Sequence, residues 1–188
     1  FRVSFKRTNR VYLLQSELKA LHDVKLSDSL NRIRDVFLFA CYTGLSYTDI
    51  SKLSAKNIKK GDDGFTWVYI TRNKTNIPSN IPLLPHALFL MELYAIKSNG
   101  KTLFPIISNQ KINKGLKAIS LMCNFNKKLT FHSARHTFAT TVTLTNGVLI
   151  ESVSKMLGHN NIKTTQIYAR VIDSKVSQDM LILRQKFM

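Results

Sequence analysis

Apolar residues recur at helical spacing along most of this chain. Leu14, Leu18 and Leu21 share one face of a helix predicted over residues 12–24. Ser27 or Asp28 caps a second helix. In it Ile33, Val36, Phe37, Ala40 and Cys41 follow the i, i+3, i+4, i+7, i+8 pattern of a buried face. Gly44 is placed to terminate that helix. A short helix is predicted from about Tyr47 to Leu53.

The pattern changes over residues 57–83. Asp62-Asp63-Gly64 is a turn signal. Phe65 to Ile70 is rich in aromatic and β-branched residues and predicts a strand. Asn73 to Asn76 reads as a turn, and Ile77 to Leu83 as a returning strand. Pro78 and Pro82 restrict that strand to a sheet edge or an irregular path. We read a three-stranded antiparallel sheet here.

Helical spacing then returns. Helices are predicted over about 86–98 and 109–124, with a turn at Ser98-Asn99-Gly100 and Pro105 between them. Another runs from His132 to about Thr145, closed by Asn146-Gly147. A fourth covers 149–157 and stops at Gly158, a short one surrounds Tyr168, and a last one spans about 174–186. The expected fold is mainly α with a small three-stranded antiparallel β-sheet, an α+β class. No internal repeat and no low-complexity tract interrupts it.

Length and composition suit one domain, or one domain with a tail. The chain has 188 residues, 44% of them hydrophobic, enough to bury a core. Charge narrows the partners. Lys and Arg total 28 against 11 Asp and Glu, a net +17, with a pI near 10.1. Such a field draws in polyanions, and nucleic acid leads because phosphate neutralisation releases counterions. Cys41 and Cys123 form no metal or disulfide pattern; Cys41, in an apolar run, is expected to be a buried thiol. No apolar run approaches a membrane span and no signal peptide is evident; the lack of a disulfide framework fits a reducing cytosol, and a cytoplasmic location is expected. It starts at Phe1 without an initiator methionine, which suggests a piece of a longer protein.

Candidate chemistry begins with His132 and Arg135. Three residues apart on a helix, they share a face and reach one phosphate. That pair alone recurs by chance, but its surroundings are specific. The stretch Phe131-His132-Ser133-Ala134-Arg135-His136-Thr137-Phe138-Ala139 is followed by Leu157-Gly158-His159 and by Thr164-Thr165-Gln166-Ile167-Tyr168-Ala169. Tyr168 lies nine residues after His159. Upstream stand Thr43-Gly44-Leu45-Ser46 and the turn Thr71-Arg72-Asn73-Lys74-Thr75. Together these segments resemble the active-site signature of the tyrosine recombinases, the phage-integrase family, over essentially residues 10–175.

The resemblance implies a catalytic-domain fold over residues 1–173 and a set of roles. Tyr168 would attack a DNA phosphodiester and form a 3′-phosphotyrosyl bond. A phenol needs help to lose its proton before it attacks. Arg135 would clamp phosphate oxygens with its planar fork. His132 would hydrogen-bond and shuttle protons. His159 would donate to a phosphate oxygen, and Lys74 would protonate the leaving 5′-oxygen. His136 lies outside the family's catalytic set and reads as structural. No cofactor and no metal is implied, since arginines and histidines supply the positive charge. The family acts as a homo-tetramer on double-stranded DNA, in some cases with accessory DNA-bending proteins. In a bacterial cell that means the nucleoid.

One position departs from the pattern. The first segment usually reads Thr-Gly-Leu-Arg, and here Ser46 replaces the arginine. Asp49 keeps the place of the carboxylate that orients it. A serine donates one neutral hydrogen bond and cannot neutralise a phosphate. Three outcomes stay open. Arg72 stands in, since it lies two residues before Lys74 and strand alternation would aim both at one phosphate. Arg34 stands in from the preceding helix. Or the site is completed only by DNA or partner subunits. Certain integrases of bacterial conjugative transposons are similar in lacking this arginine, and the departure points to that subgroup.

Residues 174–188 form an amphipathic tail with Val176, Met180, Leu181 and Leu183. In the family such a tail docks on a neighbouring subunit; packing on its own domain is the alternative. The family's N-terminal core-binding domain is absent from this chain. Two rival activities remain: a type IB topoisomerase, with the same chemistry and no synapsis, and a non-catalytic DNA-binding module.

Overall fold

The computed structural model describes residues 10–96, 101–168 and 173–187. Helices dominate and one small sheet interrupts them, as the periodicity predicts. Helix α1 spans Gln15–Asp23, α2 Asp28–Thr43 and α3 Tyr47–Ile50. The strands are β1 Ile58–Lys60, β2 Thr66–Thr71 and β3 Pro78–Pro82. Then come α4 Pro85–Ala95, α5 Asn109–Met122, α6 Phe131–Thr137, α7 Ile150–Met156, α8 Lys163–Gln166 and α9 Asp173–Lys186. The Ser98-Asn99-Gly100 turn and the last residues of the helix expected over 86–98 lie outside the described residues.

Helix α2 is the axis of the fold. A surface helix shows one apolar stripe, whereas a helix buried on most sides is apolar nearly all round. From Val36 to Cys41 every α2 side chain is buried. Helices α1, α4, α5 and α6 pack around it. Phe37 and Phe39 face different neighbours: Phe37 meets Phe131 edge-on, and Phe39 meets Phe104 with ring centroids 4.6 Å apart. Burying rings of this size contributes about 1.5–3 kcal/mol each. Cys41 is a fully buried free thiol, and burial pushes its pKa up.

Gly44 ends α2 in the left-handed region, with φ +70°. A Cβ there would sit 2.5 Å from the Phe138 ring and 2.9 Å from Leu157. Glycine is therefore required twice, for its φ and for its lack of a side chain.

The sheet is antiparallel with order β1-β2-β3. Val68 pairs with Ile81, and both are buried on the core face. The proline-flanked β3 occupies an edge, as a strand lacking those donors must. β3 packs against α7, and the Ser79 hydroxyl donates to the Met156 carbonyl. This contact brings the turn after β2 to the end of α7.

One predicted helix differs. The segment expected as a continuous α-helix from His132 to Thr145 leaves α geometry after Thr137. It continues as a π-helical stretch over Phe138–Thr143 and a 3₁₀ turn over Leu144–Asn146. The cause is the threonine-rich run. The Thr143 hydroxyl donates to the carbonyls of Phe138 and Ala139 at 2.9 and 2.8 Å, and Thr145 donates to that of Thr140 at 2.8 Å. Hydroxyls that reach back to the i−5 carbonyl favour the wider turn.

Candidate active site

The site is assembled at the C-terminal ends of two helices. The last carbonyls of a helix have no partner within it and carry partial negative charge. At the end of α7 three such carbonyls are used. Met156 accepts from Ser79, Leu157 accepts from two arginines, and Gly158 accepts from the Thr75 hydroxyl at 3.4 Å. At the end of α2 the Gly44 carbonyl accepts from Arg135 Nη1 at 2.7 Å. Arg135 thus bridges both helix ends, since its Nη2 reaches Leu157 O at 2.5 Å.

Arg72 arrives from the sheet. Its Nη1 donates to the same Leu157 carbonyl at 2.8 Å. Its Nε lies 3.5 Å from Asp49 Oδ2, an ion pair too long and bent to satisfy that N–H as a hydrogen bond. Arg72, Arg135 and Asp49 are all buried, at 7%, 6% and 4% exposure. Two buried guanidiniums on one oxygen form a strong anion site, because each raises the cost of leaving the other unneutralised.

Asp49 is the hub beneath them. Ser46 Oγ donates to Asp49 Oδ2 at 2.6 Å, and Asn73 donates to Oδ1 through its backbone and side-chain amides at 3.3 and 3.2 Å. Burial raises the Asp49 carboxyl pKa. The hydrogen bonds from Ser46 and Asn73 and the Arg72 charge outweigh it and hold the group below the usual carboxylate range. Ser46 also caps α3, accepting from the Asp49 amide at 3.3 Å. It serves the carboxylate and the helix.

Two of the histidines come from α6 and the third follows α7. His159 Nε2 is 3.0 Å from Arg135 Nη2, and its Nδ1 is 2.8 Å from Thr165 Oγ1. Burial, then the charges of Arg135 and Arg72, push its pKa down to about 4. His132 keeps part of its surface open to solvent on α6, and partial desolvation of its ring, then the charges of Arg135, Arg10, Lys74 and Arg72, lower its pKa. His136 packs edge-on against His132 and tilted against Tyr168, with centroids 4.4 and 5.3 Å apart. Burial, His132, Arg10 and Arg135 push it down to about 4. Its Nδ1 is buried without a hydrogen-bond partner. Burial and the Arg72 charge lower Arg135 to about 10, so it stays a cation at neutral pH; Tyr168 and Asp49 oppose the shift.

Tyr168 is 7% exposed and seated on Phe138, Ala139, Val153 and Leu157. Its ring stacks on that of His159 at 6.4 Å. It lies in the turn after α8 rather than within a helix; Ala169 lies outside the described residues.

Two sequence expectations change. The strand-alternation argument for Arg72 and Lys74 does not hold, because β2 ends at Thr71 and both residues belong to the turn. That turn is closed by the Arg72 amide to the Ile77 carbonyl and the Asn76 amide to the Arg72 carbonyl, both 2.9 Å. Arg72 points inward and is buried, whereas Lys74 is exposed at the tip. Arg34 is not brought to the group. It pairs with Asp35 at 2.9 Å and donates to the Val24 carbonyl at 3.2 Å. It sits about 15 Å along α2 from the Gly44 end.

The phage integrase family model matches residues 12–175. The chain belongs to the phage integrase family.

This integrase-family chain is 30% identical over 160 residues to the tyrosine recombinase XerD of Staphylococcus haemolyticus, covering 78% of this chain and 52% of that protein. Its fold is similar to the crystal structure of XerA recombinase, with TM-score 0.74 and 23% identity over 97% of this chain and 66% of that one. It is also similar to the Tn1549 transposon integrase in complex with a circular intermediate DNA, with TM-score 0.66 and 17% identity over 92% of this chain and 66% of that one. The chain spans about half the length of the curated relatives it matches.

Sequence motifs gave roles to most of the side chains gathered here, but none to Thr165 or the Leu157 carbonyl. The first sits within the Thr164–Ala169 segment with no periodicity to mark it. The second is a backbone group, which every residue carries.

Proposed function

We propose that this chain is the catalytic domain of a site-specific DNA recombinase, with residues 1–173 forming that domain. The observation that carries the reading is the convergence of Arg72 and Arg135 on the Leu157 carbonyl beside Tyr168 and His159. The site binds a DNA phosphodiester between the two guanidiniums. Tyr168 gives its phenolic proton to His132 as Oη attacks phosphorus in line, and a phosphotyrosyl bond forms as the bond to the 5′-oxygen breaks. The departing oxygen takes its proton from Lys74. Extra charge on the non-bridging oxygens is met by Arg135, Arg72, His132 and His159, positioned before the reaction begins. The 5′-hydroxyl of a second strand then reverses the step, and exchange proceeds through a Holliday junction. Bond energy is kept in the phosphotyrosyl link, so no nucleotide cofactor is consumed.

In this reading Arg72 supplies the cation that Ser46 does not, and Asp49 orients it. The substitution and the similarity to a transposon integrase support a mobile-element integrase. Such a protein acts as a homo-tetramer on double-stranded DNA, with accessory DNA-bending proteins as further partners, in the bacterial nucleoid. Met180, Leu181 and Leu183 of α9 are 47%, 54% and 44% exposed, which supports docking of the 174–188 tail on a neighbouring subunit. The Val176 side chain lies outside the described residues.

The test is a suicide DNA substrate whose cut strand cannot religate. The wild-type chain, supplied within its full-length protein, should form a covalent adduct that Tyr168→Phe abolishes. No adduct, or one that survives Tyr168→Phe, sinks the reading. Strand exchange between two duplexes, rather than relaxation of a supercoil alone, separates a recombinase from a type IB topoisomerase.

A further inference from the structure

Thr165 has contacts that the proposed chemistry does not yet use. It is a polar side chain with 0% exposure, and its hydroxyl lies 2.8 Å from His159 Nδ1. Its backbone carbonyl accepts from the Tyr168 amide at 2.9 Å. One residue therefore touches both the phosphate-facing histidine and the turn that carries the nucleophile.

The other edge of the imidazole fixes its tautomer. Arg135 Nη2 lies 3.0 Å from Nε2. A guanidinium only donates, so Nε2 carries the lone pair in the free protein and Nδ1 carries the proton. That proton is donated to Thr165 Oγ1. Donation to a phosphate oxygen requires the reverse, with the proton on Nε2 and the lone pair on Nδ1. In the DNA-free protein burial and the charges of Arg135 and Arg72 hold the ring neutral, and the exchange keeps it neutral when DNA binds. The ring releases its Nδ1 proton to solvent water and takes one from water at Nε2, with no change in net charge; His159 is only half-buried, so water can reach it.

We propose that Thr165 is a positioning residue that permits this exchange. Its hydroxyl accepts from Nδ1–H before DNA binds. It then rotates to donate to Nδ1 when Arg135 turns to the phosphate and Nε2–H donates to a phosphate oxygen. A hydroxyl serves both states because it holds one donor and two lone pairs. Valine has the same shape and serves neither. In a valine variant the reacting tautomer leaves a buried Nδ1 lone pair unpaired, which costs about 1–3 kcal/mol. The proposal rests on the reading of the site given above.

The experiment compares wild type, Thr165→Ser and Thr165→Val within the full-length protein. Single-turnover cleavage of the suicide substrate is measured, with melting temperature as the check on folding and DNA affinity measured separately. Thr165→Val should slow cleavage by roughly tenfold to a hundredfold, with affinity changed by no more than about twofold. Thr165→Ser should stay within about threefold of wild type. A second readout follows the His159 ring nitrogens by ¹⁵N NMR in a Tyr168→Phe background. It should report Nδ1–H in the free protein and Nε2–H with DNA bound. Thr165→Val cleaving at the wild-type rate, Thr165→Ser as slow as Thr165→Val, or one tautomer in both states would each overturn the proposal. If wild type forms no Tyr168-dependent adduct, the reading of the site fails and this inference with it. If the adduct forms and Thr165→Val matches wild type, only the inference fails.

Discussion

Arg72 and Arg135 donate to one backbone oxygen, that of Leu157, at 2.8 and 2.5 Å. They come from different parts of the fold, the turn after β2 and the interior of α6. The carbonyl at the end of α7 is where they meet. Its partial negative charge is too small to balance two guanidiniums, and Asp49 reaches only one of them. The pair is left with the positive excess that a phosphate would fill.

Arg72→Ala should lower the single-turnover cleavage rate by roughly 10²–10³-fold while leaving DNA affinity nearly unchanged, as loss of a transition-state donor does. Arg72→Lys should fall between, because an ammonium keeps the charge and loses the fork. Adding Ser46→Arg to Arg72→Ala should recover part of the rate. Normal cleavage by Arg72→Ala would show that Arg72 is not the stand-in cation.

Ser46→Ala should behave differently. The serine caps α3 and holds Asp49, so the loss is mainly one of stability, about 1 kcal/mol. Urea unfolding should register it. The cleavage rate should change far less than in Arg72→Ala; an equal fall in rate would return Ser46 to the phosphate.

Gly158→Ala should injure the site through Arg72. Gly158 has φ +58°, and a Cβ there would lie 2.5 Å from Arg72 Cδ. The substitution combines a left-handed backbone penalty of about 1 kcal/mol with displacement of the guanidinium stem. We expect a lowered melting temperature together with a cleavage defect approaching that of Arg72→Ala. A stable variant with the wild-type rate would contradict the packing described.

Acid should destabilise the DNA-free domain through His136 and His159. Both pKa values are held near 4 in the fold, below the ordinary value of about 6.5. The unfolded chain therefore binds more protons between these values, and stability falls as pH drops from about 6.5 toward 4. The contribution is fully present above about 6.5. Melting temperature measured across this range should fall, and His136→Gln should flatten the slope. An unchanged slope would mean that His136 is not neutralised by burial.

Much of this fold was legible beforehand, for reasons visible in particular residues. The α2 face from Ile33 to Cys41 follows from burial alone, the strand through Val68 from its aromatic and β-branched residues, and Gly44 marks a helix end because it tolerates a positive φ. The π-helical stretch after Thr137 was not legible, because threonine hydroxyls can bond back to several carbonyls and the choice is made in the packed helix. The turn placing Arg72 inward and Lys74 outward was likewise hidden, since two residues of a tight turn obey no strand alternation.

The sequence by itself determined which chemistries are present: the histidine and arginine of α6, Lys74, His159, and a tyrosine at a fixed spacing, in a strongly basic chain without the usual arginine at position 46. Tertiary structure decided which cations gather around the Leu157 carbonyl. The decision rests on where α2 and α7 end, because a helix end leaves its last carbonyls without helical partners and these two ends lie within reach of Arg135. Every residue carries a carbonyl, so no side-chain pattern marks the few that remain free to gather Arg72 and Arg135.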